Sequence, residues 1–472
     1  MEQSRRFKDL FKNIGLLTLG SFATKLLSFF LVPLYTSVLT TAEYGIYDII
    51  HTTIVLLVPV LTIDIQESVL RFALSKEKNE SGILKTGIRF VNLSLVIILC
   101  LCFINYKIQL FETLNTYGVY FVLLFFFTAL NQVLSSFARG IDKVKDYTIA
   151  SVLSSVVTIC LNVWLLAFAG KGLNGYFVAF ILGSVTSCIY LSLKIRVYQY
   201  LGKGTVEKEL CRSMVAYSAP LVLNAIGWWI NNASDRYIVT WLCGLAVNGI
   251  YSVGYKIPSI LNVFQTIFNQ AWFLSAVKEF DPQDKDGFFI KTYNIYGAAM
   301  LFVCFGLNIF TRFIAVLLYK GDFYNAWIYV PLLNISILFG ALSGVIGGVF
   351  SAVKDSKIFS VSTLLGAAVN VTLDIILVLK FGAIGAAIAT LVSYVVVWII
   401  RLICAKKYIV LRLDLKRDIT AYLLLLCQVL WLYIIEESIL YYVVSLALFA
   451  VLLWLYRDEA AMVLRKFHRH KG

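Results

Sequence analysis

The sequence is short of charge. Asp, Glu, Lys and Arg together make up 14% of its 472 residues, against about a quarter in soluble domains. A surface so sparsely charged excludes an ordinary water-soluble or disordered chain. Histidine is scarcer still: there are three, and two of them, His468 and His470, lie in the basic tail. Three histidines cannot build a metal centre alone. The nine cysteines show no metal-type spacing either, since Cys100 and Cys102 form only a C-x-C inside an apolar run. They read as small apolar core residues. No metal site and no cofactor is expected. What fills the chain instead is hydrophobic sequence, at 60% of residues and a mean hydropathy of +0.83. Apolar runs of about 20 residues, the length that crosses a bilayer as a helix, recur throughout. The chain reads as an all-α polytopic membrane protein. Its formal charge of +14 is not read as a nucleic-acid surface, because no soluble domain presents it.

Fourteen spans are expected, near 13–38, 45–67, 87–104, 118–138, 147–169, 173–195, 213–241, 246–274, 290–318, 326–352, 357–379, 382–403, 418–435 and 438–456. The basic start "MEQSRRFKDLFK" precedes an apolar stretch too long for a signal sequence, with no A-x-A site after it, so that stretch is taken as the first span. With the N-terminus inside, the inner segments hold 33 of the 41 Lys and Arg, whereas the outer loops hold only Lys107, Lys171, Lys320 and Lys380. This asymmetry is the positive-inside pattern, and it places both termini in the cytoplasm.

The chain also repeats. "YGIYDI" at 44–49 returns as "NGIYSV" at 248–253, and "VKD" at 144–146 returns at 353–355. "GLNG" at 172–175 matches "GAIG" at 382–385. Three matches in order at a nearly constant offset define a six-span unit. An even number of spans leaves both copies with one orientation, a plan met in alternating-access transporters. The expected organisation is a first lobe at 1–196 (spans 1–6), a cytoplasmic linker at 197–211 and a second lobe at 212–403 (spans 7–12). Spans 13 and 14 and a basic cytoplasmic tail fill 404–472.

Polar residues fall on helical stripes. In span 1, Thr18, Ser21, Lys25, Ser28 and Tyr35 share a face. A lysine at the bilayer centre costs about 2.5–3.5 kcal/mol, so Lys25 needs water or an anion. Span 7 carries Asn224, Trp228, Asn231 and Asp235. Span 8 carries Tyr251, Tyr255, Asn262, Gln265 and Asn269, with Lys256 on the next row. Such stripes face another helix or a hydrated cleft rather than lipid. Lys25 and Asp235 lie on the first spans of the two lobes, which points to a cleft between them. Asp48 and His51 of span 2, and Asp374 beside Asn370 in span 11, are assigned to ion coupling. Arg71 and Arg89 flank an inner loop and suit phosphate or lipid heads. "SDRY" at 234–237 reads as an Asp–Arg pair, and Arg312 as a snorkelling side chain.

These features carry a resemblance. "TKLLSFFLVPLYTSVLTTAEYGIYDI" in spans 1–2, "ESVLRFA" at 67–73, "FARGIDKVKDY" at 137–147, "YSAPLVLNAIGWWINNASDRYIV" at 217–239, "NGIYSVGYKI" at 248–257 and "FGAIGAAIAT" at 381–390 resemble the polysaccharide-flippase (Wzx-type) branch of the multidrug/oligosaccharidyl-lipid/polysaccharide superfamily. The resemblance implies a flippase of the cell membrane that moves a lipid-linked oligosaccharide, typically on undecaprenyl pyrophosphate, from the inner to the outer leaflet. It also implies membrane lipids and polysaccharide-assembly proteins as partners. A role for Lys25 carries over, because the family often has a basic residue in this part of span 1. Two rivals belong to the same superfamily, a cation-coupled drug antiporter and a lipid II flippase. A membrane glycan polymerase or ligase is the rival of another class. Against it, the longest outer loop is "NYKIQLFETLNTY" at 105–117, and no nucleophile–base pair appears; the chain is not expected to be an enzyme.

Overall fold

A computed structural model describes residues 29–75, 79–202, 207–353 and 355–459. Among the described residues the chain is all helical. Its elements are α1 (Val32–Val38), α2 (Thr41–Leu61), α3 (Ile65–Leu74), α4 (Glu80–Ile108), α5 (Glu112–Gly140), α6 (Val144–Asn162), α7 (Gly172–Ile195), α8 (Val197–Gly202), α9 (Lys208–Cys243), α10 (Leu245–Gly254), α11 (Ser259–Lys278), α12 (Phe288–Ile309), α13 (Thr311–Leu318), α14 (Val330–Ala352), α15 (Ser356–Phe381), α16 (Ala383–Ala405), α17 (Leu415–Ile434) and α18 (Ile439–Leu455). Eleven helices among the described residues are long and apolar enough to cross a membrane. The expected eighth span is broken into α10 and α11, and the fourteenth is the 17-residue α18.

Helices start where the loops supply caps. Thr40 opens α2 with a capping box: its Oγ1 accepts from Glu43 N at 3.2 Å and its N–H donates to Glu43 Oε2 at 2.8 Å. Asn79, Asp355, Asp414 and Ser438 cap α4, α15, α17 and α18 more simply, each side chain accepting one backbone N–H of the first turn. The breaks have separate causes. Pro258 lacks an N–H and cannot continue α10, so residues 255–258 tighten into turns that bond three residues back, as in Lys256 N to Val253 O at 2.9 Å. Between α2 and α3 the helix is interrupted at left-handed Ile63 (φ 54°) and Asp64 (φ 49°).

The chain divides into two compact units, Met1–Ala233 and Ser234–Gly472, and the division falls inside α9. In unit 1 the first part of α9 is bonded to the α2–α3 segment. Ser68 Oγ donates to Met214 O at 2.5 Å, and Trp229 Nε1 donates to Thr52 O at 2.8 Å. Helices α5, α6 and α7 pack together beside it. The core of unit 2 is α14, which is buried from Val330 to Phe350 and touches α11, α12 and α16. A helix wrapped on all sides needs small residues where neighbours cross closely. A Cβ at Gly348 would lie 2.4 Å from Trp272 Nε1 of α11. The two G-x-x-G motifs use one device. Gly172 (φ 51°) and Gly382 (φ 65°) take backbone angles open to glycine, and each stands at the start of a helix.

Candidate functional site

Unit 2 gathers two carboxylates and a set of tyrosines. Asp235 sits two turns from the end of α9, and its Oδ2 accepts from Tyr251 Oη at 2.7 Å and Tyr255 Oη at 2.5 Å. Its Oδ1 accepts the Arg236 backbone N–H at 2.9 Å. Both tyrosines come from the end of α10, where the proline break stops the helix. The Arg236 guanidinium lies over the Tyr255 ring at 5.2 Å, so the Asp235–Arg236 pair of "SDRY" joins Tyr251 and Tyr255 in a four-residue cluster. Asp374 projects from α15 within electrostatic reach of Asp235. It is fully buried, and neither of its carboxylate oxygens has a hydrogen-bond partner among the described residues. One turn earlier on α15, Asn370 Nδ2 donates to Thr390 Oγ1 of α16 at 3.4 Å.

Magnitude decides what this cluster is for. An unpaired buried carboxylate costs several kcal/mol, and buried polar groups in folded proteins are almost always bonded. A carboxylate kept only for packing would not be left bare beside a second one. The pair calls for a positive charge, a proton or a cation held by oxygens. Among the described residues no three His, Cys, Asp or Glu come together.

The sequence stripes separate in space. Asp235, Tyr251, Tyr255 and Asp374 come together. Gln265 and Asn269, beyond the break, point to α14: a Cβ at Gly344 would lie 3.4 Å from Asn269 Oδ1, and one at Gly340 would lie 3.8 Å from Gln265 Nε2. Asn262, Asn224 and Trp228 are exposed, and Asn231 donates to Gly227 O of its own helix at 2.9 Å. Lys256 is half-buried in the break. In unit 1, Asp48 is buried within electrostatic reach of Tyr176, beside a cluster of Tyr44, Tyr47 and Tyr176, and His51 stacks on Tyr47 at 5.7 Å. Arg71 and Arg89 are exposed. Ser21, Lys25 and Ser28 lie outside the described residues.

Two arginines differ from the sequence reading. Arg401, counted with the inner-loop charges, is buried in α16. It donates to Ser362 Oγ, Ser343 O and Thr363 Oγ1, each at 3.0 Å, and lies over Phe359 at 4.1 Å. Arg312 does not snorkel. It donates to Leu432 O at 2.7 Å and Ile435 O at 2.9 Å, which caps the end of α17.

The fold is that of the multidrug/oligosaccharidyl-lipid/polysaccharide transporters and flippases. The lipid II flippase MurJ in an inward closed conformation superimposes with a TM-score of 0.69 at 14% identity, over 96% of this chain and 99% of that one. An inward-facing multidrug resistance MATE transporter also gives 0.69, at 14% identity over 81% and 94%. Within that class, residues 10–273 match the family of polysaccharide biosynthesis proteins, and the chain belongs to it. A probable low-salt glycan biosynthesis flippase of Haloferax volcanii, Agl15, is 23% identical over 39% of this chain and 40% of its own length. The chain therefore spans well under half of that relative in the match. An uncharacterized membrane protein of Methanocaldococcus jannaschii is 20% identical over 68% of this chain and 67% of its own.

Proposed function

We propose that the protein is a flippase for a lipid-linked oligosaccharide, carrying the polar head from the cytoplasmic to the outer leaflet of the cell membrane by alternating access. The family match over residues 10–273 carries this reading, and the name of the Haloferax relative agrees with it. Lobes at 1–196 and 212–403 would rock about the substrate, with both termini cytoplasmic. Lys25, flanked by Ser21 and Ser28, meets the pyrophosphate. Asn224, Trp228, Asn231 and Asn262 offer amides and a ring face to the sugars. Arg71 and Arg89, exposed near the inner face, suit phosphate or lipid heads. Asp235 and Asp374 bind the proton or alkali cation that couples transport, because that charge relieves the bare carboxylate. Polysaccharide-assembly proteins are the expected protein partners.

Deleting the gene tests the reading. Lipid-linked oligosaccharide should build up on the cytoplasmic leaflet while the cell-surface glycan falls. If every glycan still reached the surface and drug resistance fell instead, the drug-antiporter reading would replace this one. Loss of peptidoglycan precursor delivery alone would point to a lipid II flippase.

A further inference from the structure

Arg401 is a buried cation without an anion. It lies one turn from the end of α16 and is 5% exposed. Its Nε, Nη1 and Nη2 each donate to a neutral oxygen, and the Phe359 ring covers its face at 4.1 Å. Ser362 Oγ and Thr363 Oγ1 give their own protons to Phe359 O, each at 2.9 Å, so they meet the guanidinium as acceptors. Among the described residues no carboxylate pairs with it. A buried charge without a counter-charge is costly, and an apolar side chain would pack α16 on α14 and α15 without that cost. An ionisable residue kept inside the membrane on such terms marks a function. An anion does not fit beside it. A Cβ at Gly347 would lie 3.4 Å from Nη1 and 2.8 Å from the Phe359 ring, and all three guanidinium nitrogens are engaged. The charge is fixed in place and acts through its field.

That field lies across one route. Asp374, Asn370, Gly366, Thr363 and Phe359 follow one face of α15 at steps of four, four, three and four residues. Thr390, Tyr394, Val397 and Arg401 follow one face of α16 at steps of four, three and four. The two faces meet along their length. Asn370 bonds Thr390 at 3.4 Å, a Cβ at Gly366 would lie 2.3 Å from Val397 Cγ2, and Arg401 bonds Ser362 and Thr363. This seam starts at the bare Asp374 carboxylate, is polar at both ends and closes to an apolar contact at Val397. Tyr394 stands between, within electrostatic reach of Asp235 on one side and Arg401 on the other. A cation entering the seam from the carboxylates would meet oxygens first, then Val397, then a fixed positive charge. Fixed arginines along polar routes through membranes exclude cations in this way.

We propose that Arg401, with Val397 packed on Gly366, is an electrostatic barrier that stops cations from running through the α15–α16 seam to the inner ends of those helices. This rests on the reading of Asp235 and Asp374 as the coupling site, and it adds how an ion held there is kept from escaping uncoupled from transport.

The test is ion leak in proteoliposomes of the full-length protein, without substrate, under a potassium diffusion potential set by valinomycin. A trapped pH dye reads proton entry, and radioactive sodium reads sodium entry. The unchanged chain should leak no more than empty vesicles. Arg401→Gln keeps donors for the serine and threonine hydroxyls but removes the charge. It should raise the leak of protons or of sodium about tenfold, the effect of a unit charge about 10 Å from a crossing cation at the effective dielectric of a protein. Arg401→Lys keeps the charge and should keep the barrier. Ser362→Ala/Thr363→Val is the packing control: it deletes two bonds to the guanidinium but not the charge, so it should melt earlier without leaking. Melting curves establish that every variant is folded. Adding Asp235→Asn/Asp374→Asn to Arg401→Gln separates the two readings. Loss of the leak agrees with an ion passing by way of the pair, whereas a persistent leak keeps the barrier and removes the pair from the ion's route. The proposal fails if Arg401→Gln is no leakier than the unchanged chain to either ion, or if the lysine variant or the packing control leaks as much as Arg401→Gln.

Discussion

Replacing Gly348 by alanine is a one-carbon perturbation whose sign follows from the packing of α14. The added Cβ would lie 2.4 Å from Trp272 Nε1 and 3.1 Å from the Ala276 Cβ. Trp272 cannot simply swing away. Its indole N–H donates to Val345 O at 2.9 Å, and its ring stacks between Phe268 at 6.0 Å and Phe288 at 5.8 Å. Overpacking of this kind costs about 1–3 kcal/mol, and a lost hydrogen bond adds about 0.5–1.5 kcal/mol. Alanine recovers about 0.8–1 kcal/mol of helix propensity over glycine. The net loss is about 1–3 kcal/mol. At about 2–4 °C per kcal/mol for a unit of this size, the melting temperature in detergent should fall by several degrees. Gly306 of α12 is the control, since a Cβ there meets nothing within 4 Å. Gly306→Ala should leave the melting temperature unchanged or raise it. Fluorescence-detected size-exclusion after graded heating reads both. Equal melting points for the two variants would refute the close approach of α11 and α14.

Three further outcomes are expected. Lys25→Ala should abolish oligosaccharide delivery in a complementation assay while the protein still inserts, and Lys25→Arg should keep part of it; normal transport by the alanine variant would remove the lysine from the substrate path. Asp374→Asn should remove the dependence of transport on the coupling ion, measured as uptake against a proton or sodium gradient, whereas an unchanged dependence would reassign the carboxylate. In the turn before α15, the Tyr408 hydroxyl donates to Asp355 Oδ2 at 2.5 Å and holds that half-buried carboxyl below its ordinary 3.8. The bond's contribution is full above that value and is lost as pH falls through the lowered one, so Tyr408→Phe should move the acid edge of thermal stability to higher pH. An unmoved edge would mean that the bond does not form in solution.

The helices were legible because a bilayer imposes a length, and about 20 apolar residues announce themselves without any knowledge of packing. Asp235, Tyr251, Tyr255 and Asp374 stood out against such a background, but the sequence set Asp235 on a cleft-facing stripe and Asp374 apart from it with ion coupling. That they meet in one cluster came from the structure. Phase was harder to read. Tyr251, Tyr255, Asn262, Gln265 and Asn269 keep helical spacing on paper, but Pro258 resets the phase, and the last two turn towards the glycines of α14. The break at Ile63 and Asp64 has no proline or glycine at the left-handed positions themselves, and Pro59 a turn earlier sits inside α2 without ending it. Arg401 stands near the end of an apolar run, where a loop charge and a buried one look alike; only its serine and threonine partners on other helices distinguish them. The ion pair of Arg417 with Glu459 needed three dimensions, because 42 residues separate the two.

The arginine at the end of α17 has a consequence for how the protein is made. Arg312 belongs to α13, and the carbonyls it caps, those of Leu432 and Ile435, lie 120 and 123 residues later. In the fold the same guanidinium lies over the Trp327 ring at 4.5 Å, and its two carbonyl partners at the end of α17 are synthesised long after it. A chain stopped before residue 432 would leave the Arg312 guanidinium without the two carbonyls it caps.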